Sequence, residues 1–460
     1  MSDRLRFGFD GGDVRELMKL AAPVVTVQLG MMLMNVVDSA MVGHYSAVDL
    51  AAVGMGSLYI WGISVVAIGV LMAFDPVVSQ AFGAGDHVAM TRAAQRGMLL
   101  SFGLACASAV MAMPVEPFMN VMNQPPAIVP GVRSYVLINL AGLWPFYMFV
   151  VLRQMLQAAD RLRPLVITIV LANLGNVVLN WAMVFGHLGS PELGLIGSAW
   201  ATVISRWVMV IALLLTARRD LTGYLFTRTP GTFALRPLMR IIRLGLPIGI
   251  SMALEFGAFA TVAIFMGAFG ERSLAAHQIA LMLAALTFMV PLGISQAAAV
   301  LVGRAIGRGQ ADQARRSATA SMLAAAGFMS GSAIVFMTMP TLLARCYTDD
   351  VDTIAMAAML VPIAGLFQIF DGLQVAASGV LRGVGETRWP MYVQLVGLWL
   401  VGLPVSIGAG VFFGVGEVGL WWGFVAGIGA SAALLCAGVW RRMRGPLDRL
   451  AIDEPTATSV

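Results

Sequence analysis

Apolar runs of about 20 residues recur along this chain, each closed by a loop bearing charge, proline or glycine. As an α-helix, a run of that length matches the hydrocarbon thickness of a bilayer. Twelve runs can be drawn, at 17–45, 51–75, 97–116, 130–152, 165–187, 194–217, 244–269, 275–303, 317–343, 353–381, 389–413 and 418–440. Composition agrees. The 460 residues are 59% hydrophobic and 12% charged, with mean hydropathy +0.85, whereas soluble domains carry about 25% charged residues. The expected fold is an all-α integral membrane protein of twelve transmembrane helices. The first apolar segment exceeds the roughly 7–15 residues of a signal-peptide core, so no cleavable signal is expected.

The arginines set the orientation. One side holds Arg92 and Arg96; Arg153, Arg161 and Arg163; Arg218 through Arg243; Arg304 through Arg316; Arg382 and Arg388; and Arg441 through Arg449. The N-terminus adds Arg4, Arg6, Arg15 and Lys19. Opposite loops hold Arg133, Arg272 and Arg345. The positive-inside rule then predicts cytoplasmic termini. The net charge of +5 sits in these loops and does not point to nucleic acid. Cys106, Cys346 and Cys436 are far apart and show neither metal spacing nor a disulfide framework.

The longest cytoplasmic connection, within 218–243, divides the spans six and six, and the halves repeat. Leu20-Ala-Ala-Pro23 matches Leu244-Gly-Leu-Pro247 at an offset of 224, and VSQAFGAGD (78–86) matches VGRAIGRGQ (302–310) at the same offset. DRLRP (160–164) matches ETRWP (386–390) at 226. Halves of like orientation imply a pseudo-twofold axis along the membrane normal, a transporter signature. The expected organisation is a cytoplasmic segment 1–16, an N-lobe 17–217, a linker 218–243, a C-lobe 244–440 and a cytoplasmic tail 441–460.

Charge inside an apolar helix is costly and is kept where it faces a partner or a wet cavity. Asp371 lies mid-span, with Phe367, Gln374 and Ser378 on its own helical face. Glu255 lies 12 residues above Arg243, and Asp371 lies 11 above Arg382. Both acids therefore stand about 17 Å from the inner face. Two carboxylates at one depth can hold a bare cation or share one proton. In the other half, Asp38, Asn180 and Thr202 fall roughly 24–28 Å up. Asn173, Asn176 and Asn180 form a polar stripe on one helix face. An acid ringed by amides and a hydroxyl can bind Na⁺ through oxygens or form a protonatable network. Interhelical hydrogen bonding alone is the plainer reading of the stripe. Met34, Phe259 and Phe367 stand among adaptable Met and aromatic side chains near these acids. The same residue types serve plain helix packing. Arg206 has no assigned role.

No Walker A loop, HExxH or GxSxG occurs, so neither ATP drive nor soluble-enzyme chemistry is expected. GAGD (83–86) lies between apolar helices and repeats as GRGQ (307–310), which reads as a tight turn.

The pattern resembles the multidrug and toxic compound extrusion (MATE) family, in its NorM-type bacterial branch. The motifs are MNVVDSAMVGHYS (34–46), LAAVG (50–54), VSQAFGAGD (78–86), ALEFG (253–257), LAAHQIA (274–280) and FDGLQVAASGVLRGVGETR (370–388), spread over nearly the whole chain. The resemblance implies a secondary antiporter in a bacterial inner membrane that exchanges amphipathic organic cations for inward Na⁺ or H⁺. It implies no enzymatic activity, no cofactor beyond the coupling ion, and a monomer among its lipids. The cation site of the C-lobe would fall on Glu255 and Asp371, the metal ligands if Na⁺ is the ion. The N-lobe network would fall on Asp38, Asn176, Asn180 and Thr202. Asp38, Asp371, Phe367, Phe259, Gln278, Gln374 and Met34 would meet the substrate. Phe367 stands where some relatives are expected to carry a tyrosine, which removes one oxygen ligand. A flippase for lipids or lipid-linked sugars is the alternative. Its cavity should carry basic residues for phosphate, whereas this chain places acids at depth.

Overall fold

The computed structural model describes residues 10–227 and 229–453. Parts of two expected segments, 1–9 of the N-terminal segment and 454–460 of the tail, lie outside the described residues.

The described residues form helices joined by short turns. In chain order they are α1 (Gly11–Tyr45), α2 (Ala47–Leu71), α3 (Phe74–Gly83), α4 (His87–Ala112), α5 (Val115–Val121), α6 (Val129–Leu140), α7 (Leu143–Ala158), α8 (Arg163–Phe185), α9 (Leu195–Thr216) and α10 (Arg218–Phe226). There follow α11 (Leu235–Ala268), α12 (Glu271–Gly307), α13 (Ala311–Thr338), α14 (Pro340–Arg345), α15 (Val351–Val384), α16 (Arg388–Gln394), α17 (Leu403–Ile407) and α18 (Glu417–Arg444). Two π-helical stretches, Leu395–Gly402 and Gly408–Phe412, flank α17. Ten helical segments are long and apolar enough to span a bilayer. The count is twelve when the bent pairs α4–α5 (51°) and α6–α7 (49°) are each one span.

Local chemistry sets the ends. Ser46 caps α2 through the Asp49 N–H at 3.2 Å, Asp86 caps α4 through Ala89 at 2.9 Å, and Asp350 caps α15 through Thr353 at 2.9 Å. The repeated GAGD and GRGQ turns both need a left-handed residue. Gly85 (φ 69°) and Gly309 (φ 71°), 224 positions apart, supply it. The stretch 218–243, read as a linker, is helical over α10 and again from Leu235. Leu221 and Leu225, one turn apart, bury one face of α10.

The helices sort into two compact units that are discontinuous in sequence. One, the N unit, comprises Thr26–Phe74, Gly85–Gly249 and residues 452–453. The other, the C unit, comprises residues 10–25, Asp75–Ala84 and Ile250–Ala451. The divisions fall inside α1, α3 and α11. In the N unit α8 lies along α9, and α4 along α7. In the C unit α15 is central, packed by α12, α13 and α18. Lipid is as apolar as leucine, so close packing of small residues holds such helices together. Ser295 and Ala299 of α12 meet Gly379 and Gly383 of α15, and a Cβ at either glycine would strike the α12 backbone. Phe259, Phe367, Trp421 and Phe424 form an aromatic core in the same unit.

Candidate functional site: two buried acid centres

The first centre lies in the N unit. Asp38 of α1 is 2% exposed. Its Oδ1 accepts from Asn176 Nδ2 at 3.0 Å and Asn180 Nδ2 at 2.7 Å, and its Oδ2 accepts from the Thr202 hydroxyl at 2.6 Å. The amides sit one turn apart on α8, and the hydroxyl comes from α9, which packs along α8. Of the four residues proposed from spacing and resemblance, three therefore converge on the carboxylate of the fourth, Asp38. Asn173 does not join them, because its amide donates to the Ile169 carbonyl at 2.8 Å. Met34, one turn before Asp38, is 7% exposed. Three donors around two oxygens form a shell for a carboxylate. Thr202 also lies 3.1 Å from the Ser198 carbonyl. Its hydroxyl therefore has a second acceptor to turn to when Oδ2 carries a proton.

Tyr135, Tyr147 and Arg206 border this centre. Tyr135 accepts from the Ser57 hydroxyl at 3.2 Å, and Tyr147 pairs with Ser108 at 3.0 Å. Arg206 follows Thr202 by one turn of α9. Its guanidinium lies 5.3 Å above the Phe146 ring.

The second centre lies in the C unit. Glu255 of α11 is half-buried. Its two oxygens accept from Gln374 Nε2 of α15 at 3.4 Å and Gln394 Nε2 of α16 at 3.3 Å. Gln394 is held in turn by the Ser431 hydroxyl of α18 at 3.4 Å. Asp371 is 6% exposed, and Glu255 is the charge that bears on it. Among the described residues, Asp371 Oδ1 and Gln374 Oε1 have no hydrogen-bond partner. Both centres therefore combine donors to an acid with unpartnered acceptor oxygens, which in the first are Asn176 Oδ1 and Asn180 Oδ1. Acceptor oxygens on a carboxylate pair suit a hard monovalent cation. No cluster of three or more His, Cys, Asp or Glu occurs among the described residues.

The residues expected to meet the substrate do not gather in one unit. Met34 and Asp38 belong to the N unit, and Phe259, Gln278, Phe367, Asp371 and Gln374 to the C unit. Phe367 is 2% exposed, its ring centroid 5.8 Å from that of Trp421. Phe259 stacks on Phe424 at 4.5 Å. Both rings are packed into the aromatic core. Gln278 is exposed on α12.

Sequence reasoning missed Gln394, Ser431 and a neutral network one turn from Asp371. There Gln368 Nε2 donates to Thr287 Oγ1 at 2.5 Å, and Gln368 Oε1 accepts from Ser332 at 3.0 Å. Gln394 and Gln368 were visible as lone amides in apolar spans, and each marks the face its helix turns inward. Span eleven carries another signal. Pro404 has no N–H and its ring crowds the carbonyl four residues back. The preceding turns run as a π-helix over Leu395–Gly402. That wider coil follows Gln394 and brings the Trp399 indole N–H 3.0 Å from the Leu254 carbonyl, beside Glu255. π-Helical turns often mark functional sites.

Comparison with known proteins follows the same lines. A family model described as MatE matches residues 23–182 and 247–407. The multidrug resistance protein PmpM of Pseudomonas aeruginosa is 33% identical over 461 residues, 97% of this chain and 96% of that protein. The multidrug resistance protein NorM of Burkholderia vietnamiensis is 35% identical over 433 residues, 92% of each. Among solved structures, the eukaryotic MATE transporter AtDTX14 superposes with a TM-score of 0.87 at 21% identity, covering 94% of this chain and 97% of that one. An outward-facing multidrug resistance MATE transporter superposes at 0.85 and 19% identity, covering 99% and 100%. At these identities the structures speak for the fold.

Proposed function

The chain belongs to the MatE family of multidrug efflux transporters, and from that premise we propose that it exchanges cytoplasmic amphipathic organic cations for inward Na⁺ or H⁺. It is a multi-pass membrane protein. Its bacterial relatives support the bacterial inner membrane as its place. The arginine-rich loops support cytoplasmic termini. The working unit proposed is a monomer.

The observation that carries the coupling is a buried acid centre in each unit. At Asp38 a proton can be received without breaking the shell, because Thr202 turns to the Ser198 carbonyl. At Glu255 and Asp371 the acceptor oxygens suit a cation. An inward ion neutralises a carboxylate, and a cationic drug then loses its electrostatic partner. Coupling arises when ion and drug favour different states of the transporter. Acids at depth, with basic loops at the ends, do not favour a phosphate-handling flippase.

The test is efflux of a fluorescent organic cation from proteoliposomes under an imposed Na⁺ or pH gradient. Asp371→Asn is expected to abolish efflux driven by the Na⁺ gradient while the protein still inserts and unfolds cooperatively. Efflux at the wild-type rate in that variant would remove Asp371 from the mechanism.

A further inference from the structure

The last apolar span, α18, closes on Trp440, Arg441, Arg442 and Arg444. Tryptophan and arginine gather where lipid meets water. Here they are built into pairs. The Trp389 ring of α16 lies against α18 at Gly438, where a Cβ would strike its Nε1. That Nε1 donates to the Leu434 carbonyl at 3.3 Å, which fixes the ring. The Arg441 guanidinium lies 5.4 Å over the same ring. Arg444, one turn on, lies 3.4 Å over the exposed ring of Trp440.

Several neighbouring arginines of the C unit are held by protein groups. Arg315 pairs with Asp312 at 2.8 Å, Arg316 with Asp13 at 3.8 Å and Arg382 with Asp75 at 3.3 Å, while Arg442 turns back to the Pro446 carbonyl. Arg441 and Arg444 are different. Both are exposed, and neither makes a hydrogen bond or ion pair among the described residues. Glu386, close to Trp389 in sequence, accepts from the Trp389 backbone N–H at 3.2 Å instead. Each guanidinium is thus held against a ring rather than an acid, and its donors stay open. Beyond Trp389, the exposed side chains of Tyr392, Leu395, Val396 and Trp399 continue along one side of span eleven. In a bilayer that stripe meets acyl chains.

We propose that Trp389, Trp440, Arg441 and Arg444 form a headgroup site for an anionic glycerophospholipid at the arginine-rich end of the C unit. The phosphate meets the two guanidinium groups, whose forks match its oxygens, and the acyl chains follow the apolar stripe of span eleven. Charge complementarity selects the occupant. Two cations without an acid call for an anion, and the adjoining stripe calls for its hydrocarbon. The site does not depend on what the transporter carries. It does touch the ion centre, because α16 begins beside Trp389 and ends at Gln394, a donor to Glu255. A headgroup held on Trp389 anchors the short helix that supplies that donor.

The test titrates the delipidated full chain with phosphatidylglycerol or phosphatidylcholine and counts bound lipid by native mass spectrometry. The wild type is expected to hold its first phosphatidylglycerol about tenfold more tightly than phosphatidylcholine. Arg441→Gln combined with Arg444→Gln should remove most of that preference and leave phosphatidylcholine binding unchanged. Arg218→Gln combined with Arg219→Gln removes the same charge from exposed arginines of the N unit, and it should leave the preference within about twofold. Arg441→Lys combined with Arg444→Lys should keep only part of it, because an ammonium lacks the fork. Trp440→Leu, which keeps both charges, should lower it as well. Equal loss in the two glutamine pairs would reduce the effect to net charge. A preference untouched by the Arg441 and Arg444 pair would place the lipid elsewhere, and displacement of the lipid by an equal concentration of inorganic phosphate would mark a site for soluble anions. Each of these three results overturns the proposal.

Discussion

At the scale of single residues, the N-unit centre is a question of how strongly a hydroxyl holds a buried carboxylate. Thr202 donates to Asp38 at 2.6 Å, and hydrogen bonds to charged groups contribute about 1.5–3 kcal/mol. Thr202→Val is therefore expected to lower the thermal midpoint by several degrees, while Thr202→Ser, which keeps the hydroxyl, should stay near wild type. Repeating the pair in an Asp38→Asn background completes a double-mutant cycle. The valine penalty should shrink there by more than half, because the acceptor is no longer charged. A penalty of unchanged size would mean that Thr202 acts through packing. Asp38, Asn176, Asn180 and Thr202 are legible in the sequence because a polar residue in an apolar helix has few reasons to exist, and helical spacing puts them at matching heights. What spacing cannot reveal is orientation. Asn173 shares the stripe yet turns to its own backbone. Arg206 is visible as a charge, but its packing against Gly142 at a helix break is not. Gln394 belongs to a span with no polar periodicity, so only tertiary packing shows it at Glu255.

At the scale of elements, the apolar runs locate the helices well because length and hydropathy are what a bilayer demands. They locate interruptions less well. The halves repeat, yet α2 and α3 break at Met72 and Ala73, before Pro76, where the corresponding part of α12 runs unbroken. The π-helical turns around Pro404 add no residue that a hydropathy window would notice. Caps, by contrast, are read directly from side chains. Asp350 accepts from both the hydroxyl and the backbone N–H of Thr353, which hold its carboxyl below the ordinary range. A depressed folded value contributes stability above the unfolded pKa of about 3.9, and the contribution is lost as pH falls through the folded value. Amide protection in the first turn of α15, corrected for intrinsic exchange, is thus expected to be flat from about pH 7 to 5 and to fall below about pH 4. Asp350→Asn caps without titrating, so its protection should stay flat. The same acid-induced loss in that variant would place the titrating group elsewhere.

At the scale of the whole molecule, a repeated scaffold carries acids that are not copies of each other. At the offset of 224 shared by the Gly85 and Gly309 turns, Asp38 corresponds to Val262, and Glu255 corresponds to Met31. Neither acid has an acid at its counterpart position, so the two centres did not retain one common site. Their acids also differ in how far they are engaged by donors. Asp38 has donors on both oxygens, an arrangement that stabilises a carboxylate, while Asn176 Oδ1 and Asn180 Oδ1 beside it have no hydrogen-bond partner among the described residues. Asp371 Oδ1 and Gln374 Oε1 are acceptors without donors among the described residues, in a unit that also holds Glu255. If each centre answers to one ion, the two driving forces should be separable by mutation. Glu255→Gln and Asp371→Asn are expected to lose efflux driven by a Na⁺ gradient at constant pH, and Asp38→Asn to keep it. Efflux driven by a pH gradient in Na⁺-free medium should reverse that pattern, lost in Asp38→Asn and retained in Glu255→Gln. The readout is initial dye efflux from proteoliposomes, with each variant scaled to its own reconstituted amount. Loss of both drives in every variant would show that the centres form one coupled circuit, and the difference in their hydrogen bonding would then belong to packing rather than to ion choice.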